Sequence, residues 1–267
     1  MRYNPVMHEL GHWHGPMLER HFLPCPSLAP FISTYQLLTQ EHAEGTGERW
    51  YILPDNAAHL IFYLVERHGQ LLPSLRLIGP RTRHKLIHRR QRWFTFIASF
   101  KPGAFYHFSP VPMAELTDAS HDARDLSSHW NNELIDKLAV LAKRELMPQF
   151  IEQFEEALHG SIRSLPSTSS LSHSFVHMHF APMASVREIA QDLGITERHL
   201  RSLTRDQIGH SPKMILQIER FTQSLRLSNA HRDWTAIAYE AGYYDQSHMI
   251  AAYQKMTGSS PERLFNT

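Results

Sequence analysis

Cysteine is almost absent from this sequence, since Cys25 is the only one among 267 residues. A single thiol excludes an internal disulfide framework and any cysteine-based zinc finger, and it is typical of a reducing compartment. Long apolar runs are missing too: no stretch approaches the roughly 20 residues of a membrane span, and the first residues lack the apolar segment of a signal peptide. We therefore expect no membrane association and a cytoplasmic location.

An excess of charge of either sign is also missing. Lys and Arg number 27 and Asp and Glu 26, so the formal net charge is +1. Bulk charge therefore gives no reason to expect a nucleic acid, a membrane or an acidic partner. With 42% hydrophobic and 20% charged residues, the composition excludes disordered, collagen-like and coiled-coil classes.

Histidine, in contrast, is abundant, with 20 residues. His8, Glu9 and His12 match the H-E-x-x-H pattern of zinc-dependent hydrolases, in which two histidines one helical turn apart bind the metal. Only seven residues precede this pattern, and Gly15-Pro16 would end its helix almost at once. A catalytic helix needs a packed scaffold, so a zinc-dependent hydrolase is the least favoured alternative.

A second histidine cluster, at positions 173, 177 and 179, repeats the spacing of positions 8, 12 and 14. Neither cluster is accompanied by the cysteines or carboxylates that would complete a coordination shell. We therefore predict no metal site, no cofactor and no catalytic residue, and we expect a protein that is not an enzyme.

The clearest boundary is the stretch 161–174, in which seven of fourteen residues are Ser. Upstream, short β-rich runs alternate with Pro and Gly turns over 50–110, and an apolar residue recurs every three or four positions over 123–159. We predict an α+β chain. It has a mainly β sensing domain with terminal helices at 1–160, the Ser-rich linker, and an all-α domain at 175–267.

The second domain contains an internal repeat that can be checked by subtraction. Ile189-Ala190 and Gly194 recur as Ile237-Ala238 and Gly242, 48 positions later. Each copy has a short amphipathic helix, a Gly that reverses the chain in a left-handed conformation, and a polar N-cap that begins a second helix. This is the helix-turn-helix unit, whose second helix enters the major groove of DNA.

The two units are predicted at about 185–209 and about 233–258, with Thr196 and Asp245 as the caps of the second helices. A linker helix over 211–228 joins them. Its length, about 25 Å, would make it a rigid spacer. Two recognition helices could then enter successive major grooves, roughly 34 Å apart.

Helical spacing leaves a polar face on each second helix. Arg on the first suits guanine and phosphate, whereas Gln on the second suits adenine. The alternatives are a solvated face in which Glu197 and Asp206 pair with the Arg side chains, and a capping role for the first residues of the second helix. The predicted DNA-binding residues are Arg198, His199, Arg201, Ser202, Arg205, Gln246, Ser247, His248 and Lys255.

These features resemble a known family. Residues from about 171 to 267 look like the DNA-binding domain of the AraC/XylS family of bacterial transcription regulators. The matching positions are Ile237-Ala238, Ala241-Gly242-Tyr243, Asp245-Gln246-Ser247-His248, Gly258 and Pro261. The resemblance implies a sequence-specific regulator of promoter DNA, commonly an activator, with a small effector, RNA polymerase and a second copy of the chain as expected partners.

Two departures from the family pattern concern the recognition helices. Ser202 and Ala251 stand where such proteins usually place an Arg, so base reading at those two positions is not carried over. Thr204 stands where the family usually has a core Phe. The alternative is an architectural DNA-binding or partner-docking protein without sequence preference.

The first domain is similar to a β-rich regulatory domain of unknown ligand that precedes this module in a subgroup of the family. The residues that carry the similarity are Leu53-Pro54-Asp55-Asn56, Gly79-Pro80-Arg81-Thr82-Arg83, Phe100-Lys101-Pro102-Gly103 and Glu115-Leu116-Thr117-Asp118.

A basic run also marks this domain. From Arg67 to Ala114 there are nine Lys or Arg, the last of them Lys101, and no Asp or Glu. The run indicates a surface for phosphate or acidic protein, a pocket for an anionic effector, or sheet edges protected by basic residues.

Overall fold

The computed structural model describes residues 8–9, 17–40, 48–89, 93–163, 184–228 and 233–265. Its first part contains strands and three α-helices. The strands are β1 (His8–Glu9), β2 (Met17–Phe22), β3 (Ile32–Gln40), β4 (Glu48–Ile52), β5 (His59–Arg67), β6 (Gln70–Ile78), β7 (Lys85–Arg89), β8 (Trp93–Phe100) and β9 (Ser120–Asp122); the helices are α1 (Met113–Leu116), α2 (Asn132–Lys143) and α3 (Met147–Gly160).

Two antiparallel sheets organise these strands. Six strands pair in the order β2-β3-β8-β5-β6-β9, and three pair in the order β1-β4-β7. Phe62 on β5 lies opposite Phe96 on β8, which in turn lies opposite Leu37 on β3. The β-rich runs predicted over 50–110 are therefore confirmed as β4 to β8.

An aromatic core joins the six-stranded sheet to α2 and α3. The ring of Phe96 lies 4.8 Å from that of Phe150 and 5.2 Å from that of Phe154, both edge to face. Such pairs add to the free energy of apolar burial. The helices predicted within 123–159 are confirmed, but only from Asn132 onward, because residues 123–125 form a short 3-10 turn that Asp122 caps.

The opposite face of the same sheet is buried and partly polar. Gln36, His59, Thr95 and Ser99 are all buried there. Along the strands they alternate with the residues of the aromatic core. His59 links two of its neighbours, because Nδ1 lies 3.2 Å from Ser99 Oγ and Nε2 lies 2.9 Å from Asp55 Oδ2.

The second part is helical. Its helices are α4 (Val186–Asp192), α5 (Glu197–Gln207), α6 (Pro212–Ser228), α7 (Trp234–Glu240), α8 (Gln246–Thr257) and α9 (Pro261–Phe265). Ser211 begins α6 by accepting a hydrogen bond from Met214 N at 3.3 Å, and Pro212 is its first residue. The predicted linker helix is confirmed.

Two apolar cores form in this second part, and α6 contributes to both. Ile215 and Leu216 pack with residues of α4 and α5. Ile218, Phe221 and Leu225 pack with residues of α7 and α8. Among the helices that the structure describes, none has the length and apolar character that a bilayer crossing requires.

The first residues of the predicted Ser-rich linker pack against the first domain. Ser161 is buried, with its hydroxyl bonded to Ala157 O at 2.8 Å, and Arg163 N donates to His107 O at 2.8 Å. Residues 164–183, which hold the rest of the Ser-rich stretch and the second histidine cluster, lie outside the described residues.

Polar contacts connect the two parts. His210, just after α5, donates from Nδ1 to Asn56 Oδ1 at 3.1 Å. Thr117 Oγ1 donates to Gly209 O at 3.1 Å, and His84 N donates to Met256 O at 2.9 Å. The sequence motifs of the first domain therefore lie at the contact with the second.

His210 is almost fully buried in this contact. Burial lowers its pKa to about 4, although the carboxylates of Asp118 and Asp55 favour the protonated ring. Asn56 and, behind it, Glu219 face the same ring. The folded state therefore favours neutral His210.

We predict that His210 makes the folded protein sensitive to acid. Neutral His210 makes its full contribution to the free energy of unfolding above pH 6.5. This contribution is lost as the pH falls toward 4, because the ring takes up a proton at a higher pH in the unfolded chain than in the folded protein. The total loss is roughly 3 kcal/mol. Urea unfolding of the wild type and of His210→Gln measures it as the pH-dependent difference between the two. A constant difference from pH 4 to 7 would contradict the prediction.

Candidate nucleic-acid interface

The first helix-turn-helix unit consists of α4 and α5. Ser185 and Glu188 form a capping box at α4, with Ser185 Oγ 3.2 Å from Glu188 N and Glu188 Oε2 2.7 Å from Ser185 N. Gly194 reverses the chain at φ +64°, and Thr196 Oγ1 accepts from His199 N at 3.2 Å to begin α5. The predicted glycine turn and cap are confirmed.

The second unit repeats this construction with α7 and α8. Asp233 caps α7 by accepting from Thr235 N at 3.0 Å. Gly242 turns the chain at φ +80°, and Asp245 Oδ1 accepts from His248 N at 2.7 Å to begin α8. Carboxylate caps suit the positive end of a helix dipole.

The outer face of α5 carries the predicted Arg stripe. The inner face is fully buried at Leu200 and Thr204, and the Thr204 hydroxyl donates to Arg201 O at 3.3 Å. The Thr204 hydroxyl therefore has a partner at a position where the family usually has Phe. The predicted residues Arg198, His199, Arg201, Ser202 and Arg205 are all exposed, as is Asp206.

Two side chains of this face bond to other side chains of the same helix. Arg201 Nη2 lies 2.8 Å from Glu197 Oε2, and Ser202 Oγ lies 3.4 Å from Asp206 Oδ2. Both partners of the Arg201 ion pair are well exposed, so the pair contributes little free energy and leaves other guanidinium donors available. Arg198 and Arg205 have no ion pair with any described residue.

The outer face of α8 carries amides, hydroxyls and one cation. Ser247, His248 and Lys255 are exposed. Gln246 is half-buried, and its Oε1 accepts from Thr235 Oγ1 at 3.3 Å, which leaves its NH2 group to donate. The His248 ring accepts from Tyr244 N at 3.4 Å, so it supports the turn.

Two exposed tyrosines of the second unit were missed by sequence reasoning. Tyr239 is 73% and Tyr244 is 92% exposed. The spacing of the buried residues Ile237 and Ala238 does not include either tyrosine, and this could have predicted their exposure.

A buried contact positions α8 on α6. Ser224 Oγ lies 2.9 Å from Tyr253 OH, and the Tyr253 ring lies 4.9 Å from that of Phe221, edge to face. Burial raises the pKa of Tyr253 above its usual value, so the phenol stays neutral. The second recognition helix is thereby held at a defined angle.

The basic run of the first domain does not form one surface. Arg81 is buried, and burial lowers its pKa. Arg76 Nη2 donates to Ser120 O at 2.8 Å. Arg83 and Lys85 are exposed. The described members of the run thus divide into structural and solvent-facing residues.

The H-E-x-x-H pattern does not have the geometry that a zinc hydrolase needs. His8 and Glu9 form strand β1 opposite Tyr51 and Trp50, whereas the motif requires a helix. His12 lies outside the described residues. Within the part of the chain that is described, no group of three His, Cys, Asp or Glu side chains is arranged to hold a metal ion.

Two helix-turn-helix units, each with an exposed and polar second helix, define a double helix-turn-helix DNA-binding protein. Residues 189–267 match the family described as "Helix-turn-helix domain", of the AraC type, and residues 20–122 match a "Domain of unknown function (DUF6597)". Residues 189–267 therefore form a helix-turn-helix domain of the AraC type, a domain of transcription regulators.

Named relatives agree with this assignment. Invasion protein InvF from Salmonella typhi and its counterpart from Salmonella typhimurium are each 31% identical over 83 residues, which are 31% of this chain. The match covers 38% of the length of each InvF protein.

Solved structures of ToxT from Vibrio cholerae are also similar. One covers 86% of this chain and 97% of ToxT at 12% identity, with a TM-score of 0.47. Another, of ToxT with an unsaturated fatty acid bound, covers 99% and 97% at 12% identity, with a TM-score of 0.39. At these scores the likeness is too coarse to relate individual sites.

We predict that Asp245→Ala destabilises the second unit by about 0.5–2 kcal/mol, because His248 N loses its acceptor. Thermal or urea unfolding of the full chain measures this. Asp192→Ala, which changes an exposed carboxylate at the end of α4, is the matched control and should cost nothing. Equal effects of the two substitutions would show that Asp245 is not an effective cap.

Proposed function

We propose that this protein reads promoter DNA with both helix-turn-helix units and regulates the adjacent genes, as an activator. The observation that supports the proposal is that α5 and α8 bury their apolar faces and expose their polar faces at the two ends of one rigid helix, α6. A single chain then offers two readers for two sub-sites.

The two readers have different chemistry. On α5, Arg198, Arg201 and Arg205 present guanidinium groups that suit guanine O6/N7 and phosphate, with His199 and Ser202 between them. Ser202 lies where the family usually has an Arg. We propose that Arg201 and Arg205 make the base contact that this Arg would otherwise make.

On α8, Gln246 and Ser247 lie at the N-terminal end, the part of a recognition helix that reaches base edges. The free NH2 group of Gln246 can donate to a base or a phosphate. His248 and Lys255 are proposed as phosphate contacts. Ala251 offers only a methyl group, so the second sub-site should be read more weakly than the first.

We propose that a small effector binds in the first domain, on the sheet face that lies opposite α2 and α3. Gln36, His59, Thr95 and Ser99 supply buried polar groups on this face, beside buried Leu and Ile side chains. A few polar groups among apolar neighbours are typical of a small-molecule site. Binding there would shift the arrangement of the two domains.

The proposed partners and the proposed location follow from promoter binding. An activator must contact RNA polymerase, and a second copy of the chain on adjacent DNA would add affinity. Regulation of a promoter also requires that the protein reach chromosomal DNA, which in bacteria lies in the cytoplasm.

Selection of bound duplexes from a random pool tests this function. Full-length protein should enrich one motif with two sub-sites about one helical turn apart, and genome-wide mapping of bound sites should return the same motif upstream of genes. Enrichment of no motif at all would favour the alternative, an architectural protein that binds DNA without sequence preference.

We predict that Arg201→Ala and Arg205→Ala each weaken binding to the selected duplex by about 1–3 kcal/mol, because a bidentate base contact is lost. The measurement is a fluorescence anisotropy titration at fixed salt. Arg144→Ala, an exposed Arg after α2, is the control. Unchanged affinity for a variant removes the assignment of that residue.

A further inference from the structure

The segment from Leu53 to Asn56, here called the docking segment, follows β4 in the first domain and contacts the DNA-binding domain. Leu53 is 0% exposed and packs in the apolar core of the second helix-turn-helix unit, with Ile218 and Phe221 of α6. A residue of the first domain therefore completes a core of the second.

Asn56 contacts the other unit. Its side chain is 1% exposed, and its Oδ1 accepts from His210, the residue that follows the end of the first unit. Its Nδ2 donates to Ile215 O at 3.3 Å and to Glu219 Oε1 at 2.9 Å, both on α6. Both polar atoms of the amide are thus used across the domain contact.

The docking segment therefore contacts the DNA-binding domain beside both of its apolar cores. The first unit packs around Ile215 and Leu216, the second around Ile218 and Phe221, and only α6 is common to both. Leu53 reaches the second core while Asn56 is bonded beside the first. Because His210 follows the end of the first unit and Leu53 lies in the second core, the docking segment holds part of each unit against α6.

Two further contacts lie at the C-terminal ends of the recognition helices. A Cβ at Gly209, after α5, would lie 2.5 Å from Thr117 Oγ1 and 2.7 Å from Met113 O. His84 is bonded to Met256 O near the end of α8. The first domain thus contacts both recognition helices at their C-terminal ends.

The docking segment is also joined to the polar face of the six-stranded sheet. Asp55 Oδ2 bonds His59 Nε2, and His59 Nδ1 bonds Ser99 Oγ. Asp55 and Arg81 exchange two backbone hydrogen bonds, of 3.0 and 2.9 Å. A change on that face can therefore move Asp55 and, with it, the adjacent Asn56.

We propose that Asn56 is the positioning residue of DNA recognition: by holding His210 and α6 while Leu53 fills the second core, the docking segment fixes the orientation of the two recognition helices around α6. Effector binding acts by moving this segment. The inference rests on the proposed function and specifies its regulation.

The test is Asn56→Asp in the full-length chain. A carboxylate in place of the amide repels Glu219 and the Ile215 carbonyl and cannot donate to either. We expect the preference for a duplex with both selected sub-sites over a duplex with one to fall by about tenfold or more, because the second contact is no longer preorganised. Affinity for the single sub-site should stay the same.

Rescue and control variants separate positioning from general damage. Glu219→Gln removes the repulsion and adds an NH2 donor, so Asn56→Asp combined with Glu219→Gln should regain much of the two-sub-site preference. Asn132→Asp makes the same chemical change at an exposed position of α2 and should change nothing. A lowered two-sub-site preference without rescue would contradict the proposed contact.

A glycine pair provides a second route if Asn56→Asp does not fold. Gly209→Ala and Gly194→Ala both place a side chain at positive φ, but the added Cβ meets the first domain only at position 209. We expect Gly209→Ala to lower the two-sub-site preference and Gly194→Ala to leave it unchanged. An equal effect of both would indicate local backbone strain only.

Hydrogen exchange distinguishes a failure of the proposed function from a failure of the positioning role. If docking is as proposed, Asn56→Asp speeds exchange of the amides from 209 to 219 and leaves β3 and β8 protected, whether or not DNA is bound. Wild-type protein that selects no DNA motif would overturn the proposed function. Unchanged exchange and unchanged two-sub-site preference in Asn56→Asp would overturn the positioning role.

Discussion

The DNA-binding domain depends on one helix that is shared by two cores. A seven-residue helix such as α4 or α7 has no stability alone, because nucleation costs more than so few hydrogen bonds return. Helix α6 supplies Ile215 and Leu216 to the first unit and Ile218, Phe221 and Leu225 to the second. Each recognition helix is ordered because its inner face packs on this common element.

That constraint also explains which residues face DNA. Once Leu200 and Thr204 are buried against the first core, the 3.6-residue period leaves Arg198, Arg201 and Arg205 outside. The same geometry on α8 buries Met249 and Tyr253 and exposes Ser247 and Lys255. The polar faces thus follow from packing on α6, and their chemistry is then free to differ between the two units.

Much of the helical domain could be predicted because its signals are local. Apolar spacing, a glycine at positive φ and a capping side chain all lie within one turn of the feature that they determine. The strands of the first domain were predicted from their composition for the same reason. The start of α2 was predicted too early, because Leu126 and Trp130 continue the apolar spacing through a 3-10 turn and a loop.

By itself, the sequence determined the two repeated units, their caps, the linker helix and the exposed Arg stripe, since each depends on neighbours a few positions apart. Only the tertiary structure decided how the domains meet. Asn56 and His210 are 154 positions apart, and no local pattern marks two side chains as partners when their contact depends on the packing of both domains. For the same reason, Arg81 could be counted in a basic run but not recognised as buried.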